Sequence, residues 1–266
     1  MIFLIVFTFA GNEASITRTV TVVVPVLTSL SLSSSTTTLN VGETAELTLM
    51  GTYSDNISKT VTQGIAYVII PSNSVEVNGT VLTAKKDGNV TVQAKVGTTL
   101  SNKVALTITW IVDGHVLPPE PAPTINNATL LGVDVNDNGV RDDVERWIYE
   151  EYKDKHPIHI DIAMQAGKAW QKVLEAPQNA KEIYPIVDAA SSCESYFEIC
   201  ITENNNLYIK DEIINKFFIE GLIVNTGNRM KAFLIYDALL SGYTYVIPRC
   251  KNKKTLCDFN LSKYEE

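Results

Sequence analysis

The spacing of apolar residues changes once along this 266-residue chain. In residues 26–110, short alternating runs are separated by turn residues about every ten positions, which is typical of a β-sandwich. In residues 126–266, apolar side chains recur every three or four positions, which predicts amphipathic helices. Residues 111–125 lie between these regions and carry Pro118, Pro119, Pro121 and Pro123. Because proline favours extended backbone, they predict a semi-rigid linker between a β domain and a mostly helical domain.

Individual strands can be assigned within residues 26–110. The runs with the required pattern are residues 27–32, 45–53, 66–70, 89–96 and 103–110. Residues 66–70 are apolar enough to predict a central strand. Asn78-Gly79 lies between two short β runs, residues 75–77 and 81–83, and this dipeptide predicts a hairpin with a type I′ turn.

Two stretches of this region resemble the bacterial Ig-like group 2 family, the invasin and intimin type. The early stretch is Leu39-Asn40-Val41-Gly42-Glu43-Thr44, followed by alternating apolar residues, and the late one spans residues 75–94. The resemblance implies an Ig-like β-sandwich that serves as a rigid spacer or a binding face. It also implies that this domain has no catalytic residues.

Residues 1–25 allow two interpretations. Residues 1–10 are almost wholly apolar and end in Thr8-Phe9-Ala10, which is typical of a weak signal segment. A secretory signal normally opens with a basic residue, however, and the first one here is Arg18. We favour the second interpretation, the closing hairpin of a truncated Ig-like repeat, with its turn at Ala10-Gly11-Asn12-Glu13.

Residues 134–145 have the spacing of a twelve-residue calcium loop. Oxygen-bearing residues occupy alternate positions, Gly139 lies where the chain must turn sharply, and an acid closes the loop. A hard dication requires six to eight oxygen ligands, which alternate positions of a curled loop can direct to one centre. The sequence therefore predicts a Ca²⁺ site formed by Asp134, Asn136, Asn138, the carbonyl of Val140, Asp142 and Glu145.

The same residues have a second interpretation. Asp142 and Glu145 have the spacing of a capping box at the start of a helix, and a cap is compatible with a calcium loop. Arg141 occupies the eighth loop position, which is usually apolar and pairs with a second loop, and the chain contains no second copy. The loop therefore resembles the solitary calcium loops of dockerin and thrombospondin type 3 repeats, which implies a structural site.

Five helices are predicted after the loop. The first has an apolar stripe of Val144, Trp147, Ile148 and Tyr152, and the second begins at Pro157. The others cover residues 180–197, 211–224 and 229–240, and residues 243–266 are predicted to form a strand or loop. The helical spacing of four aromatic residues predicts core positions for Phe217, Phe218, Phe233 and Tyr236.

The four cysteines form two equally spaced pairs, Cys193 with Cys200 and Cys250 with Cys257. An even number at these spacings predicts disulfides and therefore an oxidising compartment. Equal spacing favours pairing within each pair, although cross-pairing between them is also open. Gaps of this length fit a zinc site poorly.

No catalytic motif is present. His156, His159 and Asp161 allow a metal site, but their place at a helix start favours solvated cap residues. The acidic residues Asp188, Glu194 and Glu198 are interpreted as a solvated face. We assign no catalytic residue, and whether the protein is an enzyme is left open, with a non-enzymatic role favoured.

The net charge of −8 argues against a nucleic-acid partner. We expect a secreted or cell-surface bacterial protein with an adhesive or structural role, bound to a protein or polysaccharide through its surface. It requires no transmembrane span, and the oligomeric state is left open. Two alternatives remain, a secreted enzyme acting on polysaccharide through its helical domain and a phage or filament component.

Overall fold

The computed structural model describes residues 2–7, 18–203, 205–244 and 246–264. The chain divides into two compact units, Met1–Trp110 and Ile111–Glu266. The first is built from β-strands and the second mostly from helices, so the predicted mixed β and α class is confirmed. No helix in the described part of the chain is long and apolar enough to cross a membrane.

The described residues of the first unit form two sheets and a separate hairpin. Its strands are β1 (Ile2–Phe7), β2 (Arg18–Val23), β3 (Leu27–Ser34), β4 (Thr38–Asn40), β5 (Thr44–Tyr53), β6 (Ser58–Thr60), β7 (Ile65–Ile70), β8 (Val75–Asn78), β9 (Val81–Ala84), β10 (Gly88–Val96) and β11 (Thr99–Thr109). The sheets have the orders β4-β11-β10-β7 and β3-β5-β9-β8, with β6 paired to β5. The parallel pair is β4 with β11, and the other pairs are antiparallel.

Buried side chains from both sheets form one hydrophobic core. Alternate residues of β5 are buried, and the same alternation in β10 buries one face of the other sheet. The most completely buried members of this core are Leu47, Leu49, Leu82, Ala84, Val92, Ala94 and Leu106. Burial of such side chains is worth about 1.5–3 kcal/mol for each large one, so the alternation itself stabilises this unit.

Three predictions for this unit can be compared with the structure. The hairpin of β8 and β9 is confirmed, but the type I′ turn is wrong. Asn78 pairs with Val81, so Gly79 and Thr80 form the turn, and of these two only Gly79 has a positive φ, +64°. Strand β7 is an edge strand and not a central one, because it lies at the end of its sheet, next to β10. Its alternate residues are exposed.

The hairpin of β1 and β2 pairs Ile2 with Val23. Its predicted turn at Ala10-Gly11-Asn12-Glu13, and the cleavage motif at Thr8-Phe9-Ala10, lie outside the described residues.

Where the structure describes it, the second unit is formed by helices and one short hairpin. The strands are β12 (Ile111–Val112) and β13 (His115–Val116), and the helices are α1 (Pro123–Asn126), α2 (Asp142–Tyr152), α3 (Ile158–Glu175), α4 (Ala180–Ser195), α5 (Gly227–Leu239) and α6 (Cys250–Lys253). Two π-helices span Tyr196–Cys200 and Phe217–Ile223, and short 3-10 turns span Pro177–Asn179, Lys254–Leu256 and Leu261–Tyr264. The predicted fourth helix, residues 211–224, is therefore reduced to a π-helix.

The core of this unit combines the apolar faces of α2, α3, α4 and α5. The predicted stripe on α2 is confirmed, since Val144, Ile148 and Tyr152 are buried and Trp147 packs beside them. Of the four aromatic residues predicted to be core, Phe217 is 58% exposed. Its neighbour in the same π-helix, Phe218, is fully buried, so that helix turns one ring into the core and the other outwards.

Residues 111–125 differ from the extended linker that their prolines predict. Strands β12 and β13 form a hairpin whose turn residues Asp113 and Gly114 both have positive φ, +50° and +80°. Val112 and Leu117 are buried within the second unit. An Asp-Gly turn with both residues at positive φ matches the twist of a hairpin, so a local turn signal overrides the extended linker that the following prolines predict.

The disulfides join Cys193 to Cys257 and Cys200 to Cys250. The predicted pairing within each pair is wrong, and the cross-pairing alternative is confirmed. Cys193 and Cys200 lie on α4 and its π-helical continuation. Seven residues of helix rise about 10 Å, which exceeds the Cα separation that a disulfide can bridge.

Candidate calcium site

Residues 134–145 curl around their own side chains. The Asp134 carboxylate accepts hydrogen bonds from the backbone amides of Asn138 (3.2 Å) and Gly139 (2.9 Å). The amide oxygen of Asn138 accepts from the backbone amide of Val140 at 2.8 Å. Gly139 has a φ of +84°, a region that favours glycine, so the tight turn predicted at this residue is present.

Three of the predicted ligand side chains meet at one point. The Glu145 side chain is fully buried, and its Oε2 accepts hydrogen bonds from Nδ2 of Asn138 (2.7 Å) and of Asn136 (3.1 Å). Its Oε1 contacts Nε2 of His115 at 2.6 Å. An amide that rotates by half a turn presents its oxygen in place of its nitrogen. The same two asparagines can therefore surround either a carboxylate or a cation beside it.

Asp142 adds a second buried carboxylate. It is fully buried, and both of its oxygens accept from the backbone amide of Val135, at 3.1 and 3.3 Å. The pKa of Asp142 is raised to about 6, mainly by burial and also by the neighbouring charges of Asp134 and Glu145, while the hydrogen bond from Val135 opposes the rise. A cation would relieve both effects, because it restores a favourable partner for the ionised carboxylate.

The capping-box interpretation of these acids is wrong. Helix α2 has Arg141 at its N-cap position, with no hydrogen bond from a side chain to the cap. The amide of Glu145 donates instead to the carbonyl of Arg141. The carboxylates of Asp142 and Glu145 therefore face the loop, and the first turn of α2 is held by backbone bonds and by Asp143, which accepts from Val144.

The sixth predicted ligand is the carbonyl of Val140. The side chain of Val140 is fully buried and lies so close to Gly167 of α3 that a Cβ there would be 3.1 Å away. Within the described ranges, no three His, Cys, Asp or Glu residues are grouped to hold a metal. A cation in this loop would thus depend on the asparagine and carbonyl oxygens as well as on the acids.

Arg141 fastens the loop to the rest of the domain. Its side chain is fully buried, and its guanidinium donates to the carbonyls of Leu222 (2.8 Å) and Ile223 (3.2 Å), at the end of the π-helix Phe217–Ile223. It also forms an ion pair with Asp143. An arginine at the end of a helix satisfies carbonyls that have no partner within the helix. At the eighth loop position, Arg141 thus ties the loop to a helix of its own domain.

A second buried arginine supports the approach to the loop. Arg229 of α5 is fully buried and donates to the carbonyls of Asn126 (2.6 Å) and Leu130 (3.0 Å). Gly132, two residues before the loop, has a φ of +74°. A Cβ at this position would lie 2.2 Å from Cδ of Arg141. Sequence reasoning missed both arginines, because their partners lie far away along the chain.

The other candidate residues do not gather around a common centre. His159 Nδ1 lies 2.9 Å from the carbonyl of His156, and Asp161 accepts from the hydroxyl of Tyr264 at 2.6 Å. Burial lowers the pKa of both histidines, and both are half-buried, so they are not the solvated residues that we predicted. Helix α3 begins at Ile158, one residue after the predicted start.

Glu194 is also not part of a solvated face. Its side chain is buried, and Oε1 accepts from the backbone amides of Ile213 and Ile214, the latter at 2.9 Å. Asp188 and Glu198 are half-buried. Glu194 therefore acts as a structural acceptor that holds the segment before the second π-helix.

No protein-family model matches the chain, and no curated protein sequence matches it. The predicted ligands in residues 134–145 comprise three carboxylates, two side-chain amides and one backbone carbonyl, on a tightly turned backbone at the entry of α2. Such a set of oxygen donors suits binding of a hard cation, for which no redox or nucleophilic group is required.

Proposed function

We propose that residues 134–145 bind one Ca²⁺ ion. The observation that carries this proposal is the convergence of the Asn136 and Asn138 amides on the buried carboxylate of Glu145. In a loop without a cation, burial of an acid this completely is costly, and here two neutral amides and a histidine offset the cost. A dication would supply the missing opposite charge.

The donor set fits calcium better than magnesium or zinc. Asp134, Asn136, Asn138, the Val140 carbonyl, Asp142 and Glu145 offer oxygen donors only, and Ca²⁺ accepts six to eight of them in flexible geometry. Magnesium requires a smaller, near-ideal octahedron and retains water, while zinc prefers nitrogen and sulfur ligands. Bound calcium would neutralise the carboxylates and order the backbone that leads into α2.

The role that we propose is structural. The protein would be a secreted or cell-surface adhesion or scaffold protein of bacterial type, in which an Ig-like spacer presents a calcium-stabilised helical domain to a surface ligand. Two disulfides support export, because such bonds persist in oxidising compartments. The alternation and hairpin of residues 26–110 support the spacer, as in the bacterial Ig-like group 2 family.

Thermal unfolding in Ca²⁺ and in EDTA tests the site. We expect Ca²⁺ to stabilise the second unit by roughly 2.7 kcal/mol when its free concentration is about a hundredfold above Kd. The Glu145→Gln variant should lose most of that increment, since it lacks the charged bidentate ligand. Glu151→Gln is the matched control, because Glu151 is exposed on the same helix.

Wild-type protein with the same melting temperature in Ca²⁺ and in EDTA would contradict the proposal. So would a Glu145→Gln variant that keeps the full increment. Calorimetric titration of the wild type with Ca²⁺ gives the stoichiometry, which should be one ion per chain for a single loop.

A further inference from the structure

A histidine from outside the loop reaches the candidate calcium site. His115 lies on β13, and its Nε2 is 2.6 Å from Oε1 of Glu145. The ring stacks on Tyr149 of α2, with centroids 4.5 Å apart and planes inclined by 13°. The His115 tautomer with its hydrogen on Nε2 can donate to Glu145 in this contact. The ring is thus fixed on one side by stacking and on the other by Glu145.

We propose that His115 is a positioning residue for the calcium site, and that docking of its hairpin is coupled to Ca²⁺ binding. This inference rests on the proposed function of the loop. His115 does not ligate the ion. It holds the carboxylate of Glu145, the last ligand, in the orientation that a bidentate contact requires.

The placement of the donors around Glu145 supports this role. Asn138 donates to Oε2 of Glu145, and Asn136 donates to Oε2 and, at a longer distance, to Oε1. Both amides therefore approach this carboxylate from the loop itself. His115 approaches Oε1 from the neighbouring hairpin. Each carboxylate oxygen has two acceptor directions. When the two amides rotate to present their oxygens to the ion, the hydrogen bond between His115 and Oε1 remains. It would then orient the Glu145 carboxylate, as hydrogen-bond partners of metal-ligating side chains commonly do.

The segment that carries His115 is fastened to the same helix as the ligand. Arg146 donates to the carbonyl of Pro118 at 2.7 Å and to the carboxylate of Glu120 at 2.8 Å. Three residues of α2, Glu145, Arg146 and Tyr149, therefore contact residues 111–120, and α2 begins at the loop. Ordering of the loop by the ion thereby stabilises the docked segment, and the docked segment strengthens ion binding, because coupling between two sites is reciprocal.

Calorimetric titration with Ca²⁺ at one fixed pH tests the positioning role. His115→Phe keeps a flat ring against Tyr149 but removes the donor, and His115→Gln keeps a donor near the position of Nε2. We expect the phenylalanine variant to bind Ca²⁺ about tenfold more weakly or worse, and the glutamine variant to recover most of the affinity. Melting temperatures in EDTA are measured beside them, and a purely structural role would lower these while leaving the affinity unchanged.

Hydrogen exchange of the wild type supplies a second readout that needs no variant. Amides of residues 111–120 should exchange more slowly with Ca²⁺ than with EDTA, and His115→Phe should abolish this difference. The inference is overturned if wild-type exchange there is indifferent to Ca²⁺, or if His115→Phe binds the ion as tightly as wild type. A variant that binds more tightly would also overturn it, because His115 would then be a competitor. Wild-type protein that shows no calorimetric binding refutes the calcium site itself.

Discussion

The two units of this protein differ in what they bury. In the described part of the first unit, the buried polar residues are Ser74 and Ser101, and the rest of its core is apolar. The second unit buries a large polar and charged set, namely Asn126, Arg141, Asp142, Glu145, Arg146, Gln165, Ser192, Glu194, Arg229 and Lys253. The first unit is thus stabilised by a repeated pattern, and the second depends on individual side chains as well.

This difference determines how each unit should respond to change. A smaller apolar side chain in an alternating sheet loses the burial of the removed atoms and leaves a cavity, but it leaves no polar group without a partner. Removal of one member of a buried polar or ionic contact leaves an uncompensated charge, at about 3–5 kcal/mol, or unsatisfied carbonyls, at about 1–3 kcal/mol each. All four cysteines also lie in the second unit. Reductant, cations and pH should therefore act on the second unit and spare the first.

The largest effect is expected for Arg229→Met. The substitution keeps most of the side-chain volume but leaves the carbonyls of Asn126 and Leu130 without their buried donor. Each buried carbonyl left without a donor costs about 1–3 kcal/mol, so we expect a loss of about 5 kcal/mol in the free energy of unfolding of the second unit. Hydrogen exchange followed by mass spectrometry measures this for each unit of the intact chain. Lys231→Met, at an exposed position of the same helix, is the control and should change stability by about 0.5 kcal/mol at most.

The next effect concerns the disulfides. The bond from Cys193 to Cys257 closes a loop with a sequence separation of 64 residues, which corresponds to about 4 kcal/mol in the chain-entropy description. We expect the Cys193→Ala, Cys257→Ala double variant to lose about that much in the second unit, and reductant to leave exchange in the first unit unchanged. Peptide mapping without reduction should give Cys193 with Cys257 and Cys200 with Cys250. Peptides that join Cys193 to Cys200 would contradict the structure.

The sequence predicts elements that depend on local pattern, and it does so in both units. Alternation located β5 and β10, and helical spacing located α2 and α3. The hairpin at Asp113-Gly114 also had a local signal, an Asp-Gly turn, but the prolines that follow it led us to predict a linker. By contrast, the partners of Arg141 and Arg229 are carbonyls separated from them by 81 to 103 residues. No local pattern specifies such contacts, so an arginine in a polar loop gives no sign that it is buried.

The candidate calcium site likewise combines contacts that the local sequence predicts with contacts that it does not. The spacing within residues 134–145 was sufficient to select the residues that the structure brings together around Glu145. It was not sufficient to find His115, which is 30 positions away and reaches the loop only because the hairpin folds back on α2. The disulfide pairing failed for a related reason, since the helical path of α4 sets the separation of Cys193 from Cys200.

A smaller loss of stability is expected when either of two glycines is replaced by alanine. Comparison of the two variants separates the cost of steric crowding from that of backbone strain. Gly132→Ala places a Cβ 2.2 Å from Arg141 at a φ of +74°, and we expect a loss of about 3 kcal/mol. Gly42→Ala in the first unit has a φ of +92° and open space, so strain alone should cost about 1 kcal/mol. Chemical denaturation of both variants measures the difference. Equal losses would show that Arg141 moves aside freely, and that the second unit is less dependent on it than we infer.

The smallest effect is a pH dependence that should be confined to the second unit. Burial raises the pKa of Glu194 to about 7 from its ordinary value of 4.5; hydrogen bonds from Ile214 and Ile213 oppose the rise, and the charge of Glu198 adds to it. Between these two pKa values, the folded state holds a proton that the unfolded state has lost. Stability is therefore greatest below the unfolded value and falls as pH rises through the folded one.

We expect the second unit to lose about 2 kcal/mol through Glu194 between about pH 5 and about pH 7.5. Glu194→Gln keeps an acceptor for the two backbone amides but does not titrate, so its stability should fall less over this range, with Asp142 left to contribute the remainder. Glu203→Gln, at an exposed position, should retain the wild-type slope. Hydrogen exchange at both pH values, corrected for the intrinsic rates, gives the change of stability with pH for each unit.

Two outcomes would contradict this prediction. One is that the first unit shows the same change of stability with pH as the second, and the other is that Glu194→Gln leaves the change in the second unit as it is in the wild type. In either case, buried charge does not make the two units respond differently to pH. Rearrangement of the structure around Glu194, including its hydrogen bonds from Ile213 and Ile214, would then offset the free-energy cost of ionising its side chain.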